Sequence, residues 1–371
     1  MSDKTSSFIA AAVVCLLLLM MGCIYITEET TKPKAESKEK ISTGVAPPAE
    51  EIAKPEAEFE KQKAETPTEK AVTLALKFVP QDSTAYRVIT EAEKSVMWEG
   101  PLSEKPSDFK GGHTASRIEM TFIQRIQSID DKCNAVAEIT IKQLKYLAKV
   151  RDNVVLDFDS SREKDRDNLL SKLIGQSYTI ELSPAGRVLK ILDVNEARAA
   201  VKGDSSAHQT ASALLSDDTI KQRHAILALP VIEKNQLHKG NTWSDIESLS
   251  FGMMGSQSYE KVYTLKEIKD TDNHQLAIVG MNAIPSSEKA EQLHKEHATG
   301  LFSKLFDNTE TYTGELKLDL TAGKIEKYIE ELRTEWVAID PFAEQQDDKE
   351  PAALKMAATR LYHIEKIDQI N

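Results

Sequence analysis

Val154-Val155-Leu156-Asp157-Phe158-Asp159-Ser160 sets two carboxylates two residues apart behind an apolar strand. This is the pattern of hydrolases that move a phosphoryl group through an aspartyl nucleophile. That chemistry needs a parallel α/β sheet to present Asp157 at a strand's carboxyl end. The neighbouring segments alternate as antiparallel hairpins do, so the pattern reads as a strand end with solvated acids. As a calcium loop, Asp157, Asp159 and Ser161 lack the glycine and the final acid that such loops use. Glu291, His294 and His297 repeat at a spacing of three and would spread metal-ligand types over roughly 120° of a helix. A solvent-facing helix over Pro285 to Thr299, rich in Lys and Glu, accounts for them. His113, His208, His224, His238, His274 and His363 stand singly, and Cys133 has no CxxC partner. Neither a Gly-x-Ser-x-Gly elbow nor a GxxxxGK[ST] loop occurs. No catalytic residue, metal site or cofactor is expected, and a phosphoryl or metal-assisted hydrolase is the third-ranked reading.

Two apolar loops are the candidate binding elements. Trp98 to Gly112 is too long for a simple hairpin and carries Trp98 and Phe109 between prolines and glycines. Phe251-Gly252-Met253-Met254-Gly255 joins an aromatic ring to two methionines, the soft side chains of adaptable contact surfaces. Trp98, Phe109, Phe251, Met253 and Met254 are therefore the expected ligand-binding residues, with core packing as the plainer role.

Strands must position these loops. Val72, Leu74, Leu76 and Phe78 alternate with other residues, as do Ile118, Met120 and Phe122 and then Ala135, Ala137, Ile139 and Ile141. Period two marks half-buried strands. Asp130-Asp131-Lys132 reads as a hairpin turn, Val154 to Phe158 as a shorter strand, and Thr359 to Ile367 as a closing strand. Tyr178, Ile180 and Leu182 lead into Ser183-Pro184-Ala185-Gly186, a tight turn in which Pro presets φ and Gly accepts a positive one. The script then repeats. At an offset of 142, Ile126, Ala135, Ala137, Ile139 and Ile141 fall on Ile268, Ala277, Val279, Met281 and Ala283. Thr321-Ala322-Gly323-Lys324 matches the first tight turn, and Lys239-Gly240-Asn241-Thr242-Trp243 resembles Gln81 to Tyr86. Between the copies, Asn195 to Lys202 and Ala207 to Leu229 have helical spacing, with Pro230 ending the run. The expected fold class is mainly β (α+β): two related antiparallel β-sheet modules, 71–230 and 231–371, with short helices between them.

Ahead of the modules, Phe8 to Met21 is an unbroken apolar run of 14 residues followed by Gly22 and Cys23. As a helix it rises ~21 Å, short of a ~30 Å hydrocarbon core, which suits a signal segment better than a span. The alternative is an uncleaved helix that continues through Ile26. Residues 27–70 hold 8 Lys, 11 Glu and 5 Pro and only Ile41, Val45, Ile52 and Phe59 as large apolar side chains. Such a segment buries too little surface to offset its ordering entropy and reads as a disordered spacer. The 371 residues carry 47 Lys+Arg against 59 Asp+Glu, a net charge of −12 with no basic block, which argues against nucleic acid as a partner.

Leu19-Met20-Met21-Gly22-Cys23 resembles the bacterial lipoprotein lipobox, with Met20 where that motif usually has Leu. The resemblance implies a signal peptide over 1–22, lipidation of Cys23, and a membrane-anchored, extracytoplasmic place in the cell envelope. With the spacer, the paired hairpins and the recurring Ala-Gly-Arg/Lys turn, the order of features resembles uncharacterised bacterial lipoproteins classed only as domains of unknown function. A weaker likeness is to the half-barrels of lipoprotein carriers, where helices close an apolar concavity. The expected function is a tethered, non-catalytic binding module for a lipid or an envelope partner. The rival is a structural lipoprotein without a small-molecule site.

Overall fold

The computed structural model describes residues 71–100, 111–203, 205–231, 236–251, 256–271, 274–285, 307–339 and 353–368. The expected leader 1–22, Cys23 and the spacer to residue 70 lie outside the described residues, as do Phe109, Met253, Met254, Glu291, His294 and His297.

The alternating segments form strands β1 (Ser83–Glu99), β2 (Gly112–Ile129), β3 (Ala135–Val150), β4 (Asn153–Asp159), β5 (Ser177–Leu182), β6 (Val188–Asp193), β7 (Thr242–Ser250), β8 (Ser256–Thr271), β9 (His274–Pro285), β10 (Asp307–Asp319), β11 (Lys324–Ile339) and β12 (Ala353–Ile367). All belong to one antiparallel sheet in the order β6-β5-β3-β2-β1-β12-β11-β10-β9-β8-β7, with β4 paired to β3 beside β5. The mainly β, antiparallel expectation holds. The two halves, read from sequence as separate modules, are continuous: β1 pairs with β12 from Ala85↔Ile367 to Glu99↔Ala353, and one apolar core runs through both. Alternation reports which face of a strand is apolar, not which strand lies beside it.

The order is a meander whose two ends approach each other. Register shifts at Thr121/Phe122, Leu265/Glu267 and Lys317/Leu318 are bulges, which bend and coil long strands. The side chain of Arg187, in the turn before the edge strand β6, reaches Asp245 on the other edge strand, β7, at 3.0 Å. Between them pass α1 (Asn195–Ala200), α2 (Ser206–Ala213) and α3 (Asp217–His224), followed by a turn whose Ile226 N–H donates to Gly186 O at 2.8 Å. Ser205 and Ser216 start α2 and α3 by accepting the His208 and Thr219 N–H groups.

Val72 to Phe78, expected to be a strand, is instead a strap across one end of the sheet. Its alternation is real, since Val72 and Leu74 are buried. Its backbone partners, however, are turns: Leu76 N–H donates to Pro184 O and Lys77 N–H to Gly323 O, and a single bridge joins Val72 to Leu237. The two tight turns that the sequence repeats are thus held by adjacent residues of one strap. Both need a left-handed glycine, Gly186 at φ 71° and Gly323 at φ 63°. The repeat extends to the strand entries. Gln81 and Asp82 exchange hydrogen bonds with Ile126, and Gly240 and Asn241 exchange the same pair with Leu265.

Candidate functional site

The sheet's concave face divides into two zones. At the strapped end it is apolar, lined by Phe122, Ile139, Tyr178, Ile180 and Leu318 and filled by the helices. Here α3 sends its last turn inward: His224 stacks edge-on against Phe122, and its Nε2 lies 2.6 Å from the Tyr178 hydroxyl. Arg223 donates to the same hydroxyl and to Leu214 O, while the Tyr362 hydroxyl of β12 donates to Arg223 O. Burial, reinforced by Arg223, holds His224 well below the ordinary histidine value, so the ring is neutral and accepts the Tyr178 proton. Among the described residues, a cavity of ≈ 40 Å³ lies at this end beside Leu76, Tyr86 and His224. Acyl-chain sites are larger, on the order of 300 Å³ or more.

Toward the other end the concave face turns polar. The strands deliver Glu247 (β7), Lys261 (β8), Glu310 and Tyr312 (β10), Glu330 and Tyr328 (β11) and Arg360 (β12) to one side. Lys261 is 1% exposed and forms ion pairs with Glu247 and, at 2.9 Å, with Glu330. Tyr312 donates to both carboxylates, at 2.9 and 3.1 Å, and Tyr328 donates to Glu330. Burial pulls the Lys261 ammonium down, but the two glutamates outweigh it and hold it well above the ordinary lysine value. Burial and then Glu330 push the Tyr312 and Tyr328 hydroxyls up. The lysine therefore stays charged and the two hydroxyls stay protonated near neutrality, and Lys261, Glu247 and Glu330 form a buried ion-pair network. Beside it, Tyr259 and Gln257 donate to Glu310. Arg360 donates to Ser250 O at 3.0 Å and lies over the Phe251 ring at 5.6 Å.

The connections β1–β2, β7–β8, β9–β10 and β11–β12 all leave the sheet at this polar end, as the pairs Val96↔Gly112, Ser250↔Ser256, Tyr259↔Pro285 and Ile339↔Ala353 require. The expected binding residues that are described sit here. Trp98 is on β1 in phase with the inward Val96 and pairs with Leu354. Phe251 is buried and packs edge-on against Trp336 at 5.1 Å. Trp336 was not anticipated, nor were Lys261, Glu247, Glu330 and Arg360. Their signal was phase: Lys261 stands between Tyr259 and Tyr263, and Glu330 between Tyr328 and Leu332, at the inward positions of apolar alternations.

The Asp157 and Asp159 pattern closes on itself. Arg162 grips the Asp157 carboxylate with two bonds of 3.0 Å and also binds Asp165, while Asp159 accepts from Ser161. Among the described residues no group of three or more His, Cys, Asp or Glu could hold a metal ion. Cys133 is exposed in the β2–β3 turn at φ 64°.

The model of a family of unknown function, DUF6263, matches residues 133–325. No curated protein matches the chain. Among solved structures, lipovitellin, described for its lipid–protein interactions, is 12% identical with a TM-score of 0.38. That match covers 80% of this chain but only 26% of lipovitellin. OpdL of Pseudomonas aeruginosa is 9% identical over 77% of this chain and 99% of its own, with a TM-score of 0.18. DynF, from the dynemicin pathway of Micromonospora chersina, is 7% identical over 83% and 94%, with a TM-score of 0.17.

Proposed function

The chain belongs to that family of unknown function, and we propose that it works as a binding module moored outside the cytoplasm through Cys23, taking an amphiphilic ligand at the polar end of its curved sheet. The observation that carries this reading is the division of the concave face. One end is packed shut by helices, while the other invests several charged side chains in an interior where apolar residues would serve stability as well or better. Half-buried Ile118, Tyr146 and Leu156 lie on the same inward face of the sheet, so polar and apolar side chains share that face. Mooring follows from the lipobox resemblance and the spacer that separates it from the body. Incorporation of a fatty-acid analogue is expected to be lost in Cys23→Ala.

A structural lipoprotein without a small-molecule site is the second reading, favoured by the solid packing at the strapped end. Native mass spectrometry of the full chain extracted from its own membrane separates the two. A retained species of a few hundred daltons, released by unfolding, is expected for the binding module. Bare protein mass together with no uptake of added amphiphile would leave the structural reading.

A further inference from the structure

Lys94 on β1 and Arg360 on β12 are inward neighbours. The register sets Ala92 opposite Arg360 and Lys94 opposite Ala358, so the two cations are diagonal neighbours across the ladder, roughly 7–8 Å apart. Among the described residues neither forms an ion pair with a carboxylate. This is not for want of acids, since the chain carries 59 Asp+Glu against 47 Lys+Arg. The nearest glutamate in electrostatic terms, Glu247, is already held by Lys261 and Tyr312. Arg360 spends one N–H on Ser250 O and leaves others free. Burial lowers the pKa of the Lys94 ammonium, and the like charge of Arg360 acts in the same direction.

The row beside them is made of small side chains. From Arg360 the row runs through Ala92, Ser116 and Ala148, three small side chains on successive strands. Thr114 stands opposite Lys94 and adds a hydroxyl. The next row presents Ile118 and Tyr146, both half-buried. Two cations without carboxylate partners among the described residues, a small-residue floor and an apolar wall therefore meet in one partly buried stretch.

We infer that Lys94 and Arg360 seat the anionic head, carboxylate or phosphate, of an amphiphile whose apolar part lies along Ile118 and Tyr146. This rests on the proposed binding function and names its ligand class. The two guanidinium and ammonium donors complete their hydrogen bonds on the head group, and its charge balances theirs.

The full chain in phosphatidylcholine nanodiscs, with empty discs as the blank, is titrated calorimetrically with decanoate, decyl phosphate, decanol, acetate and inorganic phosphate. Decanoate and decyl phosphate are expected to bind about tenfold or more tightly than decanol, since a charge-assisted pair is worth that much. Lys94→Gln and Arg360→Gln should each shrink this preference and together abolish it, while Lys94→Arg retains it and guards against a folding defect. If decanol binds as well as decanoate and the variants change nothing, the head-group seat is wrong and the binding function survives. Inorganic phosphate binding as tightly as decyl phosphate would mark a free-anion site and overturn the amphiphile. No binding by any of the five overturns the binding function itself.

Discussion

Replacing Lys261 by Met tests whether the ion-pair network is as buried and as interdependent as its geometry indicates. The ammonium is 1% exposed and lies against Glu247 and Glu330, themselves 12% and 10% exposed. Lys261→Met removes the cation and leaves two buried carboxylates facing one another. Breaking a buried pair from one side costs about 3–5 kcal/mol, because an uncompensated charge stays behind. Tyr312 and Tyr328 continue to donate to the glutamates, so the lower end, about 3 kcal/mol, is expected. Urea unfolding at pH 7 measures it directly, with a single transition anticipated because one core joins both halves. The loss should be nearly the same at low and high salt, since a buried pair is little screened. A triple variant, Lys261→Met, Glu247→Gln and Glu330→Gln, removes the three mutually paired charges and should recover most of the loss. A single variant within about 1 kcal/mol of the parent, the worth of an exposed pair, would refute the reasoning. So would a triple variant no more stable than the single one.

Two further outcomes follow from the strapped end. His224 is held neutral in the folded state, whereas the unfolded chain protonates it below about pH 6.5. Stability should therefore fall as pH drops from about 6.5 toward the depressed folded value, with a slope of up to about 1.4 kcal/mol per pH unit for one proton. His363 is shifted in the same direction and adds to the fall. His224→Gln removes one of the two contributions, so urea midpoints at pH 5, 6 and 7 should flatten; profiles parallel to the parent's would contradict a buried neutral ring. Gly323→Ala should destabilise by about 2 kcal/mol or more, because φ is 63° and the new methyl would stand 2.3 Å from Lys77 Cβ in the strap. Gly175→Ala, at φ 83° but with open space around it, should lose only the backbone strain of about 1 kcal/mol. Equal losses in thermal unfolding would show that the strap does not press on that turn.

Much of the architecture was legible as local pattern. Ala135, Ala137, Ile139 and Ile141 announce an inward face because successive side chains of an extended chain point to opposite sides. Gly186 and Gly323 announce turns because few other residues tolerate a positive φ. The turn that the sequence repeats before two strands makes the same pair of hydrogen bonds at Gln81–Asp82 and at Gly240–Asn241. These are steric properties of residues close in the chain, and the sequence alone carries them. Trp98 and Phe251, singled out for their apolar surroundings, both lie at the polar end of the sheet, next to the β1–β2 and β7–β8 connections.

Only tertiary structure decided that the halves form one sheet through β1 and β12, that Val72 to Phe78 straps two turns together, and that Arg162 occupies Asp157. It also decided the candidate site. Lys261 and Glu330 are 69 residues apart, and each taken alone is an ordinary charged residue in a strand. Burial of a charge is tolerable only when its partner arrives from elsewhere, and which strand brings that partner depends on curvature and register summed over the whole meander. No window of neighbouring residues contains that information.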